Sequence, residues 1–454
     1  MKKQSISILG IGYVGLCTAV GFASKGYHVT ASTHDAEKAE KINKGIPPFY
    51  EPALQKLLEE ATQNGYLTCL VNQTEKAVLE TDLTFNAMGT PSRADGSIDL
   101  RFIELSTHDM GKALKQKDTY HVIVVKSTVV PGTTQDLVKP ILEKESEKKC
   151  GPDFGLCMNP EFLRQGSAFE DTMHPDRIVI GENDRRSGDF LENLYRHFYH
   201  ENPPPIIRTS PSTAELIKYA SNSMLATKIS FINTMANICE KIPGADIKVV
   251  ATAIGLDKRI GPLFLNAGLG YGGSCFPKDV KALIACSKGL GRRAKLLEEV
   301  ESVNETQPLK AVEFCKEALG TSLKGKRVAI LGLTFKANTD DLREARAIPI
   351  VNQLIKEGAK VTVYDPVAIP TAKAIFKDRI QYAASAVECL ENADCCTLVT
   401  EWSEFKELTP EDFTRNMKQP ILVDGRRIYN PEEFSQKLKF LAVGLGRTLD
   451  KNTG

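Results

Sequence analysis

The amino-acid sequence predicts an α/β protein with two doubly wound domains joined by a central helical domain that contains one long spanning helix. Three observations support this fold class. Apolar strand-like segments alternate with helical patterns from residue 5 to residue 158, and a second series of this kind begins at Lys326. Between them, residues 212–241 form a helical pattern without Gly or Pro. Strands that alternate with helices are typical of parallel, Rossmann-like sheets with crossover connections.

The first series predicts short strands separated by helices in the N-terminal part of the chain. Three consecutive prolines at 203–205 then predict a connector that leads out of this first domain. The helix at 212–241 is too long and too apolar to be only a surface helix, so we expect it to span two domains or to pair with a copy of itself. The strands are expected at residues 5–9, 28–32, 83–88, 121–125 and 155–158, with helices such as 14–25, 51–63 and 101–115.

The second series predicts another parallel sheet in the C-terminal part of the chain. Its last segment is expected to close the sheet. The strand-like segments are RVAIL (327–331), VTVYD (361–365), CCTLVTEW (395–402) and PILVDGRR (420–427).

The composition restricts the classes of function. The 454 residues include 58 Lys and Arg against 57 Asp and Glu, a net charge of +1, which gives no electrostatic signature for nucleic acid or an anionic membrane. Outside the apolar run Ile6–Ser24, no apolar stretch reaches the roughly 18 uncharged residues of a membrane span. The eleven cysteines are odd in number and show no Cys-x-x-Cys spacing, so we expect reduced thiols and a cytoplasmic protein. His197 and His200 have no third ligand nearby in sequence, and no metal is expected.

A glycine motif follows the first predicted strand. The Gly-x-Gly-x-x-Gly pattern is typical of dinucleotide-binding domains: the first glycine makes a tight turn, the second lets the backbone approach a pyrophosphate, and the third lets the helix pack on the strand. These glycines also argue against a secretion signal in the apolar run after Met1–Lys3. The motif reads Gly10-Ile11-Gly12-Tyr13-Val14-Gly15.

The end of the second predicted strand leaves the choice between NAD and NADP open. Thr33 stands where an acidic residue normally binds the adenosine ribose, and Asp35 follows two residues later. A hydroxyl does not repel a 2′-phosphate as a carboxylate does, and Lys38 lies one turn beyond. Because no arginine occurs between Ile6 and Tyr50 to bind such a phosphate, we expect NAD, with NADP as the alternative.

The segment Gly270–Asp279, GYGGSCFPKD, contains a candidate nucleophile. Pro277 favours the first turn of a helix, which places Cys275 at the helix N-terminus. The helix dipole there favours the thiolate over the thiol. Asp279 follows Cys275 by four residues, so both are expected to face the same pocket. A thiolate beside a dinucleotide site indicates oxidation of a carbonyl through a thioester.

This motif is one of a long series along the chain. In this order and at these positions, the series resembles the UDP-glucose/GDP-mannose dehydrogenase family from about residue 4 to about residue 430. The motifs are GIGYVG (10–15), FYEP (49–52), GTP (89–91), KSTVVPGTT (126–134), NPEFLRQG (159–166), ELIKYASNS (215–223), KRIG (258–261), GYGGSCFPKD (270–279), LGLTFKANTDDLREA (331–345), TEWSEF (400–405) and DGRR (424–427).

The resemblance implies a catalytic set. Cys275 corresponds to the family's nucleophile. Lys218 and Asn222 correspond to a polar pair, which at a spacing of four residues shares one helix face and is suited to stabilise negative charge on the substrate oxygen. The implied reaction transfers two hydrides in succession, through a thiohemiacetal and a thioester on the cysteine.

The resemblance also implies residues that hold the hydrolytic water. Thr128, Glu161 and Asp279 match these positions, and Asp279 or Lys218 would take the alcohol proton through a water. Gln165 stands where the family has a second acid, so the chain has one carboxylate fewer there.

The same resemblance assigns roles to two arginines and to two sets of binding residues. Arg259 matches an arginine that reaches the substrate from a partner subunit, which implies a homodimer or higher homo-oligomer, and its alternative is a solvated surface charge. Arg426 either contacts the nucleotide or caps the last strand.

The implied cofactor residues are Gly10, Ile11, Gly12, Tyr13, Val14, Gly15, Thr33, Asp35, Lys38, Gly89, Thr90, Thr128 and Lys278. The implied substrate residues are Glu161, Phe162, Leu163, Arg164, Lys218, Asn222, Arg259, Phe264, Leu265, Gly272, Cys275, Phe335, Lys336 and Arg343.

The expected domains are residues 1–205 for the dinucleotide, 206–310 for dimerisation and substrate, and 311–454 for the nucleotide of the sugar substrate. The expected activity is the NAD-dependent, four-electron oxidation of a nucleotide sugar, and Ser274 with the TEWSEF and KRIG segments favours UDP-glucose. The alternatives are the same chemistry on GDP-mannose or a UDP-N-acetylhexosamine, or an inactive protein that binds nucleotide sugars.

Overall fold

The chain packs as two compact units, whose boundary falls between Ser221 and Asn222. The computed structural model describes residues 3–200 and 202–446. Met1 and Lys2, at the start of the run considered as a secretion signal, and residues 447–454 of the predicted third domain lie outside the described residues. Among the described residues, no helix is long and apolar enough to cross a membrane.

Within the described part of the first unit, eight strands form one sheet in the order β3-β2-β1-β4-β5-β6-β7-β8. The strands are β1 (Ile6–Leu9), β2 (Val29–Thr33), β3 (Leu67–Val71), β4 (Leu83–Asn86), β5 (Val122–Val125), β6 (Gly155–Met158), β7 (Ile178–Glu182) and β8 (Ile206–Thr209). The helices are α1 (Tyr13–Ser24), α2 (Ala36–Asn43), α3 (Leu54–Gln63), α4 (Thr74–Leu79), α5 (Arg101–Gln116), α6 (Lys139–Ser146), α7 (Ala168–Met173) and α8 (Arg185–Tyr199), with a π-helical turn at Thr134–Val138.

Continuous apolar strands explain why both faces of this sheet are covered by helices. In β5, Val122 and Val124 pack into the core under α1, α3 and α8, whereas Ile123 and Val125 pack into the core under α5 and α6. All four side chains are fully buried, which stabilises the fold by about 1.5–3 kcal/mol each. The order of the strands reverses between β1 and β4, and ligands of such sheets bind at the carboxyl ends of the strands next to this point.

Two expectations for the first unit are wrong. The sheet is not wholly parallel, because β6 and β7 pair antiparallel. The proline segment at 203–205 does not lead out of the sheet, because it is followed by β8, which pairs parallel with β7. A tri-proline segment stops a helix, but it leaves the next residues free to form a strand.

The second unit contains a group of helices followed by another sheet. Within its described residues, six parallel strands have the order β11-β10-β9-β12-β13-β14. The predicted long helix is α9 (Pro211–Cys239, 29 residues), and the boundary between the two units falls inside it. The other helices are α10 (Ile247–Gly255), α11 (Phe276–Gly289), α12 (Lys295–Thr306), α13 (Leu309–Leu319), α14 (Ala347–Lys356), α15 (Ile369–Phe376), α16 (Ala386–Leu390), α17 (Ser403–Lys406), α18 (Pro410–Asn416) and α19 (Pro431–Ser435), with a 3₁₀ turn at Lys377–Arg379. The strands are β9 (Arg327–Leu331), β10 (Lys360–Tyr364), β11 (Gln381–Tyr382), β12 (Cys395–Leu398), β13 (Ile421–Asp424) and β14 (Lys439–Ala442).

The second sheet differs from the sequence prediction at its end. The series does not close at Arg427, because β14 pairs with β13 beyond it. The strand in CCTLVTEW ends at Leu398, and Trp402 instead precedes α17, where its indole N–H donates to Asp365. Cys395 and Cys396 are fully buried in the strand, as expected.

Candidate active site

The glycine motif of the first unit forms a preorganised anion site at the start of α1. Gly10 has a φ of +87°, and a Cβ there would lie 2.7 Å from the carbonyl oxygen of Ala87. Gly12 precedes α1 without a capping side chain, and a Cβ at this position would meet no atom within 4 Å. The first N–H groups of α1 are therefore open to a ligand, which fits the pyrophosphate of a dinucleotide.

Asp35 caps the second helix of this sheet. Its Oδ1 accepts the backbone N–H of Lys38 at 3.0 Å, and this bond is the main reason why the pKa of Asp35 lies below its ordinary value. The Lys38 ammonium lies 3.9 Å from the same carboxylate. Thr33 ends β2, as expected, and its hydroxyl accepts the N–H of Asp35. Thr33, Asp35 and Lys38 therefore lie together at the carboxyl end of β2.

Thr90 and Thr128 also lie together, in the loops that follow β4 and β5. The hydroxyl of Thr90 donates to the carbonyl oxygen of Thr128 at 2.9 Å. Gly89 precedes Thr90, and the loop is next to the point where the strand order reverses. The fold thus brings these predicted cofactor residues to the edge of the sheet where dinucleotides bind.

A buried ion pair links α9 to the loop after β6. The Lys218 ammonium lies 2.9 Å from a carboxylate oxygen of Glu161, and the two side chains are only 4% and 6% exposed. Burial alone would raise the pKa of Glu161, but Lys218, the N–H of Leu163 and the charge of Lys126 together lower it. Neither residue is therefore a solvated surface charge, and the carboxylate of Glu161 stays ionised.

Lys126 is a member of this charge cluster that the sequence analysis did not single out. Its ammonium donates to Asn159 Oδ1 at 2.9 Å, and Asn159 also accepts the hydroxyl of Tyr195. Burial lowers the pKa of Lys126 to about 8, although the charge of Glu161 opposes that change. Its signal was present in KSTVVPGTT, where a lysine directly follows a fully buried strand.

The loop that carries Glu161 is fastened at its far end to the glycine motif. Glu51 is buried and accepts the N–H groups of Gly166 and Ala168, both at 2.7 Å, and the hydroxyl of Tyr13 also accepts the N–H of Gly166. The loop therefore has a fixed path over the start of α1. Gln165, in place of a second acid, is part of this fastened segment.

Three predicted substrate residues occupy the same loop. Leu163 is half-buried, and Arg164 is exposed and pairs with Asp171. The ring of Phe162 is stacked under the guanidinium of Arg177 at 3.8 Å, and the Lys218 ammonium lies 5.5 Å from the same ring. A cation over an aromatic face is favourable, so Arg177 fixes the orientation of Phe162.

In the second unit, Cys275 is the N-cap of α11, and Pro277 lies in the first turn, as predicted. Asp279 is 1% exposed and has two partners. Its Oδ2 accepts the amide of Asn222 at 2.6 Å, and its Oδ1 lies 2.6 Å from the ammonium of Lys278. Lys278, expected in the cofactor set, thus pairs with the carboxylate that lies one helical turn after Cys275.

The loop before Cys275 packs against the segment around Arg343. Gly273 has a φ of +84°, its N–H donates to the carbonyl of Arg343, and a Cβ there would lie 2.8 Å from the ring of Phe335. The pKa of Arg343 is raised mainly by its bonds to Asp341, and the charge of Cys275 contributes in the same direction. A Cβ at Gly272 would collide with the carbonyl of Glu344.

The remaining predicted substrate residues of this unit differ in burial and in the side chains that they contact. Lys336 lies over the ring of its neighbour Phe335, and Leu265 is buried. Phe264 has a φ of +64° and packs against Phe276, the first residue of α11. Arg259 is 88% exposed and pairs with Asp257.

Arg426 and His197 each bond to a backbone carbonyl oxygen. Arg426 donates to the carbonyl of Val399 at 2.6 Å, which places it as a cap on the strand ends. His197 bonds to the carbonyl oxygen of Asn193 within α8. Among the described residues, no group of three or more His, Cys, Asp or Glu side chains is arranged to hold a metal ion.

The open helix N-terminus, the dinucleotide-type sheet and the cysteine at the N-terminus of α11 define an NAD-dependent oxidoreductase. The chain belongs to the UDP-glucose/GDP-mannose dehydrogenase family. The NAD binding domain of this family matches residues 4–199, its central domain matches residues 212–306, and its UDP binding domain matches residues 329–431.

Individual relatives cover nearly the whole chain. A UDP-glucose 6-dehydrogenase of Haloferax volcanii is 43% identical over 95% of this chain and 98% of its own, and one of Bacillus subtilis is 40% identical over 100% and 95%. The solved structure of a UDP-glucose dehydrogenase from Pyrobaculum islandicum is 40% identical, with a TM-score of 0.90 over 98% of both chains. A UDP-D-ManNAc dehydrogenase from Pyrococcus horikoshii is 26% identical, with a TM-score of 0.85 over 97% and 99%.

We expect Gly273→Ala to lower the free energy of unfolding by about 1–3 kcal/mol, because its positive φ and the ring of Phe335 both oppose a Cβ. Gly289→Ala is the matched control, since a Cβ at this position near the end of α11 meets no atom within 4 Å. Urea unfolding of the two variants measures the difference. Equal stability of both variants would show that the packing around Gly273 tolerates a side chain.

Proposed function

We propose that the protein oxidises the C6 alcohol of UDP-glucose to the carboxylate of UDP-glucuronate in two NAD-dependent steps. The observation that carries this proposal is the position of Cys275 at the N-terminus of α11, one turn from Asp279 and its partners Asn222 and Lys278. An alcohol dehydrogenase that stops at the aldehyde needs no thiol, whereas oxidation to an acid through a thioester does.

The relatives support UDP-glucose over the other nucleotide sugars. Those named as UDP-glucose 6-dehydrogenases are about 40% identical to this chain, whereas the UDP-D-ManNAc dehydrogenase is 26% identical. The alternative of an inactive binding protein is disfavoured, because Lys218 and Glu161 form a buried pair and Asp279 keeps its two partners. Such buried charges are costly to maintain without a use.

NAD, when bound at the glycine motif, accepts the hydride in each step. In the first step Asp279 or Lys218, through a water, takes the proton of the C6 hydroxyl as the hydride leaves C6. The Cys275 thiolate then forms a C–S bond to the aldehyde carbon, and Lys218 and Asn222 stabilise the negative charge that develops on the oxygen. Loss of a second hydride gives the thioester. Water, held by Thr128, Glu161 and Asp279, breaks the C–S bond and releases the acid and the thiol.

We assign the binding of the sugar nucleotide to five short stretches of the chain. These are the loop with Phe162, Leu163 and Arg164, the pair Phe264 and Leu265, Gly272, the pair Phe335 and Lys336, and Arg343. The division into domains 1–205, 206–310 and 311–454 remains a proposal as well, with the sheet of the first domain reaching Thr209.

Cellular location and assembly are also proposals. No disulfide is formed among the eleven cysteines, which all lie in the described residues, and most of them are buried. This pattern is typical of a reducing compartment and supports the cytoplasm. The exposed side chains of Met224, Phe231 and Ile238 recur every seven residues along α9. A stripe of this kind is suited to pair with its copy, so we propose a homodimer or a higher oligomer. In such an assembly Arg259 would complete the substrate site of the partner.

We expect Glu161→Gln to slow hydrolysis of the thioester on the order of 100-fold while the first burst of NADH persists, because the carboxylate that orients the water is lost. Intact-protein mass spectrometry after mixing with UDP-glucose should then show a covalent sugar-nucleotide adduct. Cys275→Ala should form no adduct and no acid. Glu170→Gln, at an exposed position of α7, is the matched control. Loss of the burst without an adduct would contradict the assigned role of Glu161.

We expect the enzyme to use NAD, with weaker discrimination against NADP than an acid at the end of β2 would give. A carboxylate at position 33 would repel the 2′-phosphate of NADP, and the hydroxyl of Thr33 does not. The missing repulsion is worth about 1–3 kcal/mol, or about 10- to 100-fold in the ratio of kcat/KM for NAD to kcat/KM for NADP. Thr33→Asp should therefore increase the preference for NAD. Thr33→Asn, whose side chain has the same shape as aspartate but is neutral, should not. A higher kcat/KM with NADP than with NAD in the unaltered protein would contradict this expectation.

If Arg259 acts across a subunit boundary, two inactive variants should complement each other. Mixtures of Arg259→Ala and Cys275→Ala chains are expected to regain part of the activity of the unaltered protein, because a mixed dimer contains one site with both residues. Subunit exchange is verified by native mass spectrometry. Exchange without any recovered activity would show that the site is not shared.

A further inference from the structure

The loop that carries the proposed nucleophile depends on side-chain amides for its shape. Residues Gly268–Cys275, called here the nucleophile loop, form neither helix nor strand. Three amide side chains, each only 1% exposed, hold its backbone: Asn233 of α9, and Asn304 and Gln307 at the end of α12. Asn233 accepts the N–H of Gly268, and Gln307 donates to the carbonyl oxygen of the same residue.

Of these three amides, Asn304 bonds to the loop residue that is closest to Cys275 in sequence. Its Oδ1 accepts the N–H of Tyr271 at 2.8 Å, and its Nδ2 donates to the carbonyl oxygen of Tyr271 at 3.1 Å. One carboxamide therefore satisfies both backbone groups of one residue, four positions before Cys275. An amide is the side chain that offers a donor and an acceptor at this spacing, and neither a carboxylate nor a hydroxyl can replace both bonds.

The surroundings of Asn304 leave the loop little freedom. Gly270 has a φ of +97°, and a Cβ there would lie 2.7 Å from Oδ1 of Asn304. The guanidinium of Arg346 donates to the backbone carbonyls of Asn304 and Glu344. Gly272 in turn packs against the carbonyl of Glu344. The nucleophile loop is thus confined between Asn304 and the segment of residues 343–346.

We propose that Asn304 is a positioning residue that holds the nucleophile loop so that the Cys275 thiolate stays at the N-terminus of α11. This proposal rests on the proposed function, since Cys275 must be the nucleophile. Asn304 touches neither substrate nor cofactor in this account and acts through Tyr271. Both polar atoms of the buried Asn304 carboxamide are satisfied by Tyr271, and a satisfied buried polar group favours a single conformation of the backbone that it bonds.

The test replaces the amide by an isosteric acid. Asn304→Asp keeps the bond from the Tyr271 N–H but sets a carboxylate oxygen against the Tyr271 carbonyl. We expect kcat with UDP-glucose to fall by about tenfold or more, because one lost bond and one repulsion act on the loop that carries the thiol. KM should change much less, because Gly272 is the single member of this loop among the sugar-nucleotide contacts proposed above. The rate of alkylation of Cys275 by iodoacetamide should fall about fivefold or more, with its pH midpoint shifted upward.

Cys286 provides an internal control. It lies on the same helix and is also partly buried, so peptide mass spectrometry can report the ratio of Cys275 to Cys286 alkylation in one sample. Asn193→Asp, at an exposed position of α8, controls for the added charge. Asn304→Ser, which removes both bonds without adding a charge, is measured in parallel in case Asn304→Asp does not fold.

A lowered Cys275 to Cys286 ratio together with a lowered kcat supports the proposal. An unchanged ratio would overturn the proposal, and this includes the case in which alkylation of both cysteines changes in parallel. A merely structural role of Asn304 would loosen all of α11 and would therefore affect both cysteines alike. If the unaltered protein does not oxidise UDP-glucose, the proposed function fails, yet the alkylation ratio still decides whether Asn304 positions Cys275.

Discussion

The need to neutralise buried charge is the constraint on which the rest of this structure depends. A charge removed from water costs several kcal/mol unless a partner compensates it. In the first unit, Glu161 meets this constraint through Lys218 and Lys126, and in the second unit Asp279 meets it through Lys278 and the amide of Asn222. Each pairing ties a catalytic candidate to a specific neighbour, so the positions of these groups follow from electrostatics as much as from packing.

The supporting contacts extend this constraint to the backbone. The loop that carries Glu161 has no regular structure, and its path is set by the carboxylate of Glu51 and the hydroxyl of Tyr13. The nucleophile loop likewise follows the amides of Asn233, Asn304 and Gln307. In both units, therefore, a proposed catalytic residue lies on irregular backbone, and buried side chains bond to polar backbone groups of that segment.

Sequence reasoning succeeded where local chemistry determines structure. The glycine motif after β1 and the placement of Cys275 as the N-cap before Pro277 both follow from backbone preferences within a few residues. The antiparallel β6–β7 pair and the final strand β14 could not be found in this way, because pairing partners are set by distant segments. Lys126 and Asn304 were missed for the same reason: their partners lie 33 residues away.

Lys218 and Lys126 keep the carboxylate of Glu161 ionised in a buried site. The most direct measurement is the titration of Glu161 by carbon-13 NMR of protein labelled at the glutamate carboxyl carbon, with Glu161→Gln used to assign the signal. Since pairing outweighs burial, the pKa of Glu161 should lie below that of a free glutamate, and it should rise in Lys218→Met. A pKa above that of a free glutamate in the unaltered protein would contradict the account, because desolvation would then dominate and the group could not orient water as a carboxylate.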